Sequence, residues 1–178
     1  ADGWKAGNEV KRILEKTKKG EKEVVKEVAG IEGLEGTLIQ PALIIQEYFA
    51  KERKALDDVE AQAETLNATM DELREEQGGE DGLLVEAMDD KQKISKKNLQ
   101  TAIKDSGKRT ADNAEEYEML HNYKKLMEEE AEVKSKIKAA LAELEKKVIA
   151  QYPELTINEI KTIVVEKKWM EEMEKRIS

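Results

Sequence analysis

Residues 111–152 read ADNAEEYEMLHNYKKLMEEEAEVKSKIKAALAELEKKVIAQY and are followed by Pro153. Along this stretch Tyr117, Leu120, Tyr123 and Met127, then Val133, Ile137, Leu141, Leu144 and Val148, recur at helical spacing, with Glu and Lys filling the other faces. The spacing predicts one long helix over about 111–152, closed by Pro153. An apolar stripe of that length needs a partner, and the same chain holds one. Phe49, Leu56, Val59, Ala63, Leu66, Met70 and Leu73 form a second stripe over about 41–77, and from Leu56 onward they step by three and four as a coiled-coil seam does. The expected fold is mainly α: two long antiparallel helices forming a coiled-coil-like hairpin, with short extra helices.

Composition supports an elongated helical form. Charged residues make up 40% and aromatics 4%, which suits narrow seams between helices better than a thick core. The 39% hydrophobic content is too high and too regularly spaced for a disordered acidic tail. A net charge of -9 argues against the whole surface gripping nucleic acid, since phosphates are repelled on average. The absence of cysteine excludes disulfide frameworks, zinc ribbons and thiol nucleophiles. No apolar run approaches the roughly 18 residues of a membrane span, and no signal-like segment opens the chain, so a soluble, cytoplasmic chain without membrane partners is expected. Ala1 in place of Met points to a processed chain or a piece of a longer one.

The first 36 residues follow a different pattern. Val10, Arg12 and Leu14 alternate, as do Val24, Lys26 and Val28, around a turn at Lys18-Lys19-Gly20. This predicts a small N-terminal β-hairpin. A helix is the competing reading, since Val10, Ile13, Leu14 and Thr17 also fit three-four steps. Gly30, Gly33 and Gly36 read as a flexible joint, which divides the chain into residues 1–36 and a helical hairpin domain over 37–178. Pro41 suits the first turn of the first long helix, and Gly78-Gly79 suit its end. Leu83, Leu84, Ala87 and Met88 suggest a short helix, and Ser95 caps another whose buried face is Leu99, Ala102 and Ile103. After Pro153, Thr156 and Glu159 make a capping box, so a helix restarts at Ile157 with Ile160, Ile163 and Val164 inward. Trp169, Met173 and Ile177 mark a last segment.

Few residues carry recognisable chemistry. Glu118 and His121 form an E-x-x-H pair of the kind that ligates metal in di-iron bundles, but His121 is the single histidine and such sites need two pairs. The segment Gly78-Gly79-Glu80-Asp81-Gly82 lacks the Gly-Lys-Ser/Thr ending of a phosphate loop, and Glu128-Glu129-Glu130 point in different directions on a helix. No catalytic, cofactor-binding or metal-ligating residue is assigned. One charge feature stands out: Lys91, Lys93, Lys96, Lys97, Lys104, Lys108 and Arg109 crowd one segment against a single acid, Asp105. Either this is a solubilising loop, or Lys93, Lys96, Lys97, Lys104, Lys108 and Arg109 contact phosphates at the tip of the hairpin.

Several blocks together resemble a known family. They are Ala1-Asp2-Gly3-Trp4-Lys5; Leu38-Ile39-Gln40-Pro41-Ala42-Leu43-Ile44-Ile45 with Tyr48-Phe49; Gly78-Gly79-Glu80-Asp81-Gly82-Leu83; and Tyr152-Pro153, Leu155-Thr156, Glu159-Ile160-Lys161-Thr162, Val164-Val165 and Lys168-Trp169. In this order, nearly from end to end, they are similar to the C-terminal helical region of the methyltransferase subunit of type I restriction–modification systems. The chain departs from the family in the place of the proline before the first long helix, and in having Glu166-Lys167 where two aspartates are expected.

The resemblance implies a parent chain that is an S-adenosylmethionine-dependent DNA adenine methyltransferase, partnered by a specificity subunit and a restriction subunit and meeting DNA through the assembled complex. The family's Asn-Pro-Pro motif, which holds a flipped adenine, has no counterpart here because Pro41 and Pro153 are the two prolines. A glycine loop for the cofactor is missing too. The expected role is therefore non-catalytic: residues Phe49, Leu56, Val59, Leu66, Met70, Leu73, Ile137, Leu141, Leu144 and Val148 form the seam of a module that docks the methylase onto the specificity subunit. A free-standing coiled-coil scaffold or chaperone-like arm is the alternative.

Overall fold

A computed structural model of the chain describes residues 2–19, 22–167 and 173. Two long helices dominate it, α2 (Ala50–Gln77) and α4 (Ala114–Glu154), and they pack together antiparallel. The start of α2 meets the end of α4, where Glu52 pairs with Lys147 at 3.1 Å. The end of α2 meets the start of α4, where Met70 shares a buried cluster with Leu120 and Tyr123. The chain divides into two compact units, one made of residues 1–57 and 138–178, the other of residues 58–137. The expected boundary at 36/37 lies inside the first unit.

In that first unit a short helix, α1 (Pro41–Tyr48), precedes α2. The expected single helix over 41–77 is therefore interrupted: Phe49 leaves the helical region at φ -129, ψ 27, although its N–H still reaches Ile45 O at 2.8 Å. The break has a geometric reason. Ile44 and Leu56 are both buried, yet twelve residues apart on a straight helix they would point about 120° away from each other. A bend at Phe49 lets each face its own neighbours. Pro41 occupies the first turn, as its lost N–H and fixed φ allow.

The alternating N-terminal residues form strands. β2 (Leu14–Lys19) and β3 (Lys22–Glu27) pair antiparallel with Leu14 opposite Glu27 and Lys19 opposite Lys22, which is the expected hairpin. β1 (Val10–Arg12) pairs instead with β4 (Leu34–Gly36). Ile13 links the two ribbons, donating to Gly33 O at 2.8 Å and accepting from Val28 N at 2.9 Å. The glycines read as a flexible joint are thus part of ordered structure. Gly30 takes φ 80, and a Cβ at Gly36 would overlap the carbonyl oxygen of Ile39 and lie 2.7 Å from the Tyr152 hydroxyl.

α4 runs from 114 to 154, so Pro153 falls inside its last turn rather than ending it. A proline there forfeits only the bond to Ile149 O, one turn back, while the helix end leaves its last carbonyls without intrahelical donors. Asn8 answers that need, because its Nδ2 donates to Tyr152 O and to Leu155 O, each at 2.8 Å. The Tyr152 hydroxyl donates to Ile39 O at 2.6 Å, and burial pushes its pKa up to about 12. Arg12 donates to Val28 O and Gly30 O at 3.2 and 3.0 Å and forms an ion pair with Glu145, which fixes β1 to α4.

The expected capping box is present at α5 (Ile157–Thr162): Glu159 N donates to Thr156 Oγ1 at 3.3 Å and Thr156 N to Glu159 Oε2 at 2.8 Å. Leu155 and Ile160, both buried, hold the staple positions on either side of it. The Thr156 hydrogen bonds keep the Glu159 carboxyl below its ordinary value, so their contribution holds at neutral pH and is lost only as pH falls through that depressed value. The helix widens into a π turn over Ile163–Lys167. Trp169 and Ile177 lie outside the described residues, and Met173 is exposed.

In the second unit, α3 (Lys96–Ser106) starts at Ser95, whose hydroxyl accepts from Asn98 N at 3.1 Å, and Leu99 and Ala102 form its buried face. They join Met70, Leu84, Ala87, Leu120 and Tyr123 in one core. The segment expected as a helix near Leu83 is a single 3-10 turn, Val85–Ala87. Leu84 and Ala87 are fully buried by packing on the core, and Leu84 N is bonded to Gln77 O, so the segment gains burial without propagating a helix.

Replacing Gly36 with Ala should lower stability by at least about 2 kcal/mol, because backbone must move to admit the Cβ, and Tyr152→Phe should cost about 1 to 3 kcal/mol by orphaning a buried carbonyl. Urea unfolding of the two variants beside the parent chain measures both. In the second unit, Leu84→Ala should cost about 2 to 5 kcal/mol and Glu64→Ala under about 0.5, read from the same curves.

Candidate functional site

Local stability does not explain the basic segment. Lys96 and Lys97 occupy the first turn of α3, which carries no acid, and there they face the positive end of the helix dipole. Lys104 sits in the last turn, where a cation is favourable. On a regular helix Lys97 and Lys104, seven residues apart, share one face, roughly opposite the buried Leu99. Lys93 precedes the helix and Lys108 follows it.

The side chains of Lys91, Lys93, Lys96, Lys97, Lys104 and Lys108 are exposed, and among the described residues no ion pair engages them. Arg109 differs. Its Nε and Nη2 donate to Glu118 Oε1 at 3.1 and 2.7 Å, which ties it to the first turns of α4. Asn113 organises the same corner: its Nδ2 donates to Ser106 O at 2.8 Å and Lys108 O at 3.2 Å, while its Oδ1 accepts from Thr110 N at 2.7 Å. The turn that carries Lys108 is therefore held in place by a side chain whose role the sequence did not reveal.

The seam residues are placed as follows. Leu56 and Met70 on α2 and Leu144 and Val148 on α4 are buried, whereas Phe49, Val59, Leu66, Leu73, Ile137 and Leu141 are half-buried. Ala63, buried between Leu56 and Met70, gives a seven-residue repeat in which a small side chain alternates with large ones. Burial at Leu120, Tyr123 and Val133 continues the α4 stripe toward its start.

Glu118 and His121 do not converge. Glu118 faces Arg109, and His121 stacks against Tyr117 with ring centroids 4.2 Å apart. Among the described residues no group of three or more His, Cys, Asp or Glu is arranged to hold a metal ion, and no helix is long and apolar enough to cross a membrane. Burial raises the pKa of both buried tyrosines, Tyr123 and Tyr152, so their hydroxyls stay protonated at neutral pH.

Comparison with protein-family models, with curated proteins and with solved structures gave no match for this chain.

With six lysines that no ion pair engages among the described residues, the basic segment makes a measurable forecast. Changing Lys93, Lys96, Lys97 and Lys104 together to Glu should leave the melting temperature nearly unaltered, since all four are exposed. On the reading of these lysines as phosphate contacts, the slope of log affinity for DNA against log salt should become shallower by up to about 3 to 4, with sequence preference unchanged. A salt series by fluorescence anisotropy reads both.

Proposed function

We propose that this chain is a non-catalytic C-terminal part of a type I restriction–modification methyltransferase subunit, and that it assembles the methylase with its specificity subunit. The observation that carries the reading is where the family-like blocks sit. Three of the four blocks, far apart in sequence, are joined in the first unit, while Gly78–Leu83 belongs to the second. Tyr152 donates to Ile39 O, Tyr48 donates to Glu159 Oε1 at 3.1 Å, and Lys161 lies 5.8 Å from the ring centre of Trp4. Asn8, three residues beyond the first block, closes the end of α4. Residues that resemble one family at scattered positions, and that hold one another in space, support a shared fold more strongly than a single run of similar sequence would.

The same unit leaves apolar side chains in water. Ile149 on α4 and Ile157 at the start of α5 are 37% and 48% exposed, whereas their neighbours Leu144, Val148 and Ile160 on the same helices are buried. On this reading the occupant is a helix of the specificity subunit, whose apolar face would cover them as one helix covers another in a coiled coil. The chemistry of methyl transfer belongs to residues of the parent chain beyond this segment, where S-adenosylmethionine would bind. The restriction subunit and DNA would be met through the assembled complex.

Purified chain should be retained by the specificity subunit of the same system in a pull-down, and Ile149→Asp with Ile157→Asp should weaken retention at least tenfold without lowering the melting temperature. Calorimetric titration with S-adenosylmethionine should be flat. Failure of capture, or stoichiometric cofactor binding, would overturn the proposal.

A further inference from the structure

A groove of about 530 Å³ opens in the second unit. Arg74, Asp71 and Glu75 from the end of α2 form one wall, and Met88, Lys91 and Lys93 line the other. Its cations come from two separate parts of the sequence, and Arg74 lies outside the basic segment that composition singles out.

Two features make this groove a built one. Arg74 pairs with Asp71 through Nη2, while its Nε is buried and without a hydrogen-bond partner. A guanidinium presents its donors in a fixed fork, and a buried donor left unpaired is rare in folded proteins. The opposite wall is held firmly. Asp89 Oδ1 accepts from the backbone N–H groups of both Lys91 and Lys93 at 2.9 Å, and Met88 bridges to Ile94 behind them. Gln92, between the two lysines, takes φ 56, a conformation uncommon outside glycine. A Cβ at Gly78 would overlap Arg74 O and reach Met88 Cε at 2.5 Å, so glycine there is what allows this turn to abut the helix end. Of the five charged groups on the walls, Asp71 is committed to Arg74 and Glu75 is the remaining acid.

We propose that this groove binds one phosphate group of a nucleic-acid backbone, with Arg74 supplying hydrogen bonds and Lys91 and Lys93 the flanking charge. The assignment rests on the reading of residues 91–109 as phosphate-facing, and it adds a directional donor to what would otherwise be a cloud of exposed lysines. Arginine matches phosphate oxygens through its planar fork, while lysine acts as a point charge. Glu75 opposes the ligand and limits affinity.

The test uses the 178-residue chain and amide-resolved NMR, titrated with inorganic phosphate at constant ionic strength and then with a short DNA duplex. Saturable shifts are expected at residues 74, 78–79 and 91–93 with both probes, and tighter for the duplex. Arg74→Lys should weaken binding several-fold despite keeping the charge, and Glu75→Gln should tighten it. Glu75 is exposed, so that variant decides the matter should Arg74→Lys fail to fold. Unsaturable shifts spread evenly over Lys96, Lys97, Lys104 and Lys108, phosphate binding without duplex binding, or a Glu75→Gln chain no tighter than the parent would each overturn the proposal. Capture by the specificity subunit is scored separately, so a loss of that reading and a loss of this groove give different results.

Discussion

The hydrogen bond from the Tyr152 hydroxyl to the carbonyl of Ile39 is the contact on which the first unit turns. Both residues have no exposed surface, so neither the hydroxyl nor the carbonyl could find water if the other moved. Geometry then dictates the neighbours. The tyrosine ring can come this close to the chain at Ile39 because Gly36 has no side chain, and Gly36 in turn is held by pairing with Val10 in the short ribbon. The backbone of Tyr152 is engaged at the same time, since its carbonyl accepts from Asn8. One residue near the end of α4 therefore fixes the N-terminal segment, the ribbon and the approach to α1. Losing the hydroxyl removes one bond, whereas adding a methyl at Gly36 displaces three elements.

Periodicity carried the long helices because it is a local signal repeated many times. Leu56, Ala63 and Met70 on α2, and Leu144 and Val148 on α4, needed no knowledge of the partner to be recognised as inward. The caps at Ser95 and Thr156 were legible for a similar reason, since each satisfies N–H groups within three residues of itself. What sequence reading missed depends on residues far away. Leu34-Glu35-Gly36 is too short and too glycine-rich to announce a strand, and it becomes one because β1 lies beside it. The break at Phe49 follows from two sets of neighbours that demand different faces. Pro153 was read as a stop, but the helix runs one residue past it, and Asn8, brought from the other end of the chain, binds carbonyls at the helix end.

The candidate site shows the same division. Lys93, Lys96, Lys97, Lys104 and Lys108 were visible as a run of charge, and among the described residues no ion pair engages them. Arg109 was counted with them, yet the structure commits it to Glu118, a partner nine residues away that composition could not choose among many acids. Arg74 was passed over as one more cation on a charged helix. Its place beside Lys91 and Lys93 comes from the turn that Asp89 holds and from the contact of Met88 with Gly78.

Charge is distributed between the units in a way that bears on the proposed phosphate groove. Acids and bases are equal in number over residues 1–57 and 138–178, so the net charge of -9 belongs to residues 58–137, the unit that also holds the basic segment. At physiological salt the screening length is about 8 Å, and a phosphate at the groove feels Arg74, Lys91 and Lys93 far more than carboxylates on distant helix faces. At about 0.01 M salt that length grows to roughly 30 Å, and the acidic remainder of the unit is felt as well. Dilute salt, which strengthens most contacts with nucleic acid, thus works against itself in this unit. A strongly acidic body with one basic region meets a polyanion in a single orientation, and the position of the cations selects the surface that is presented.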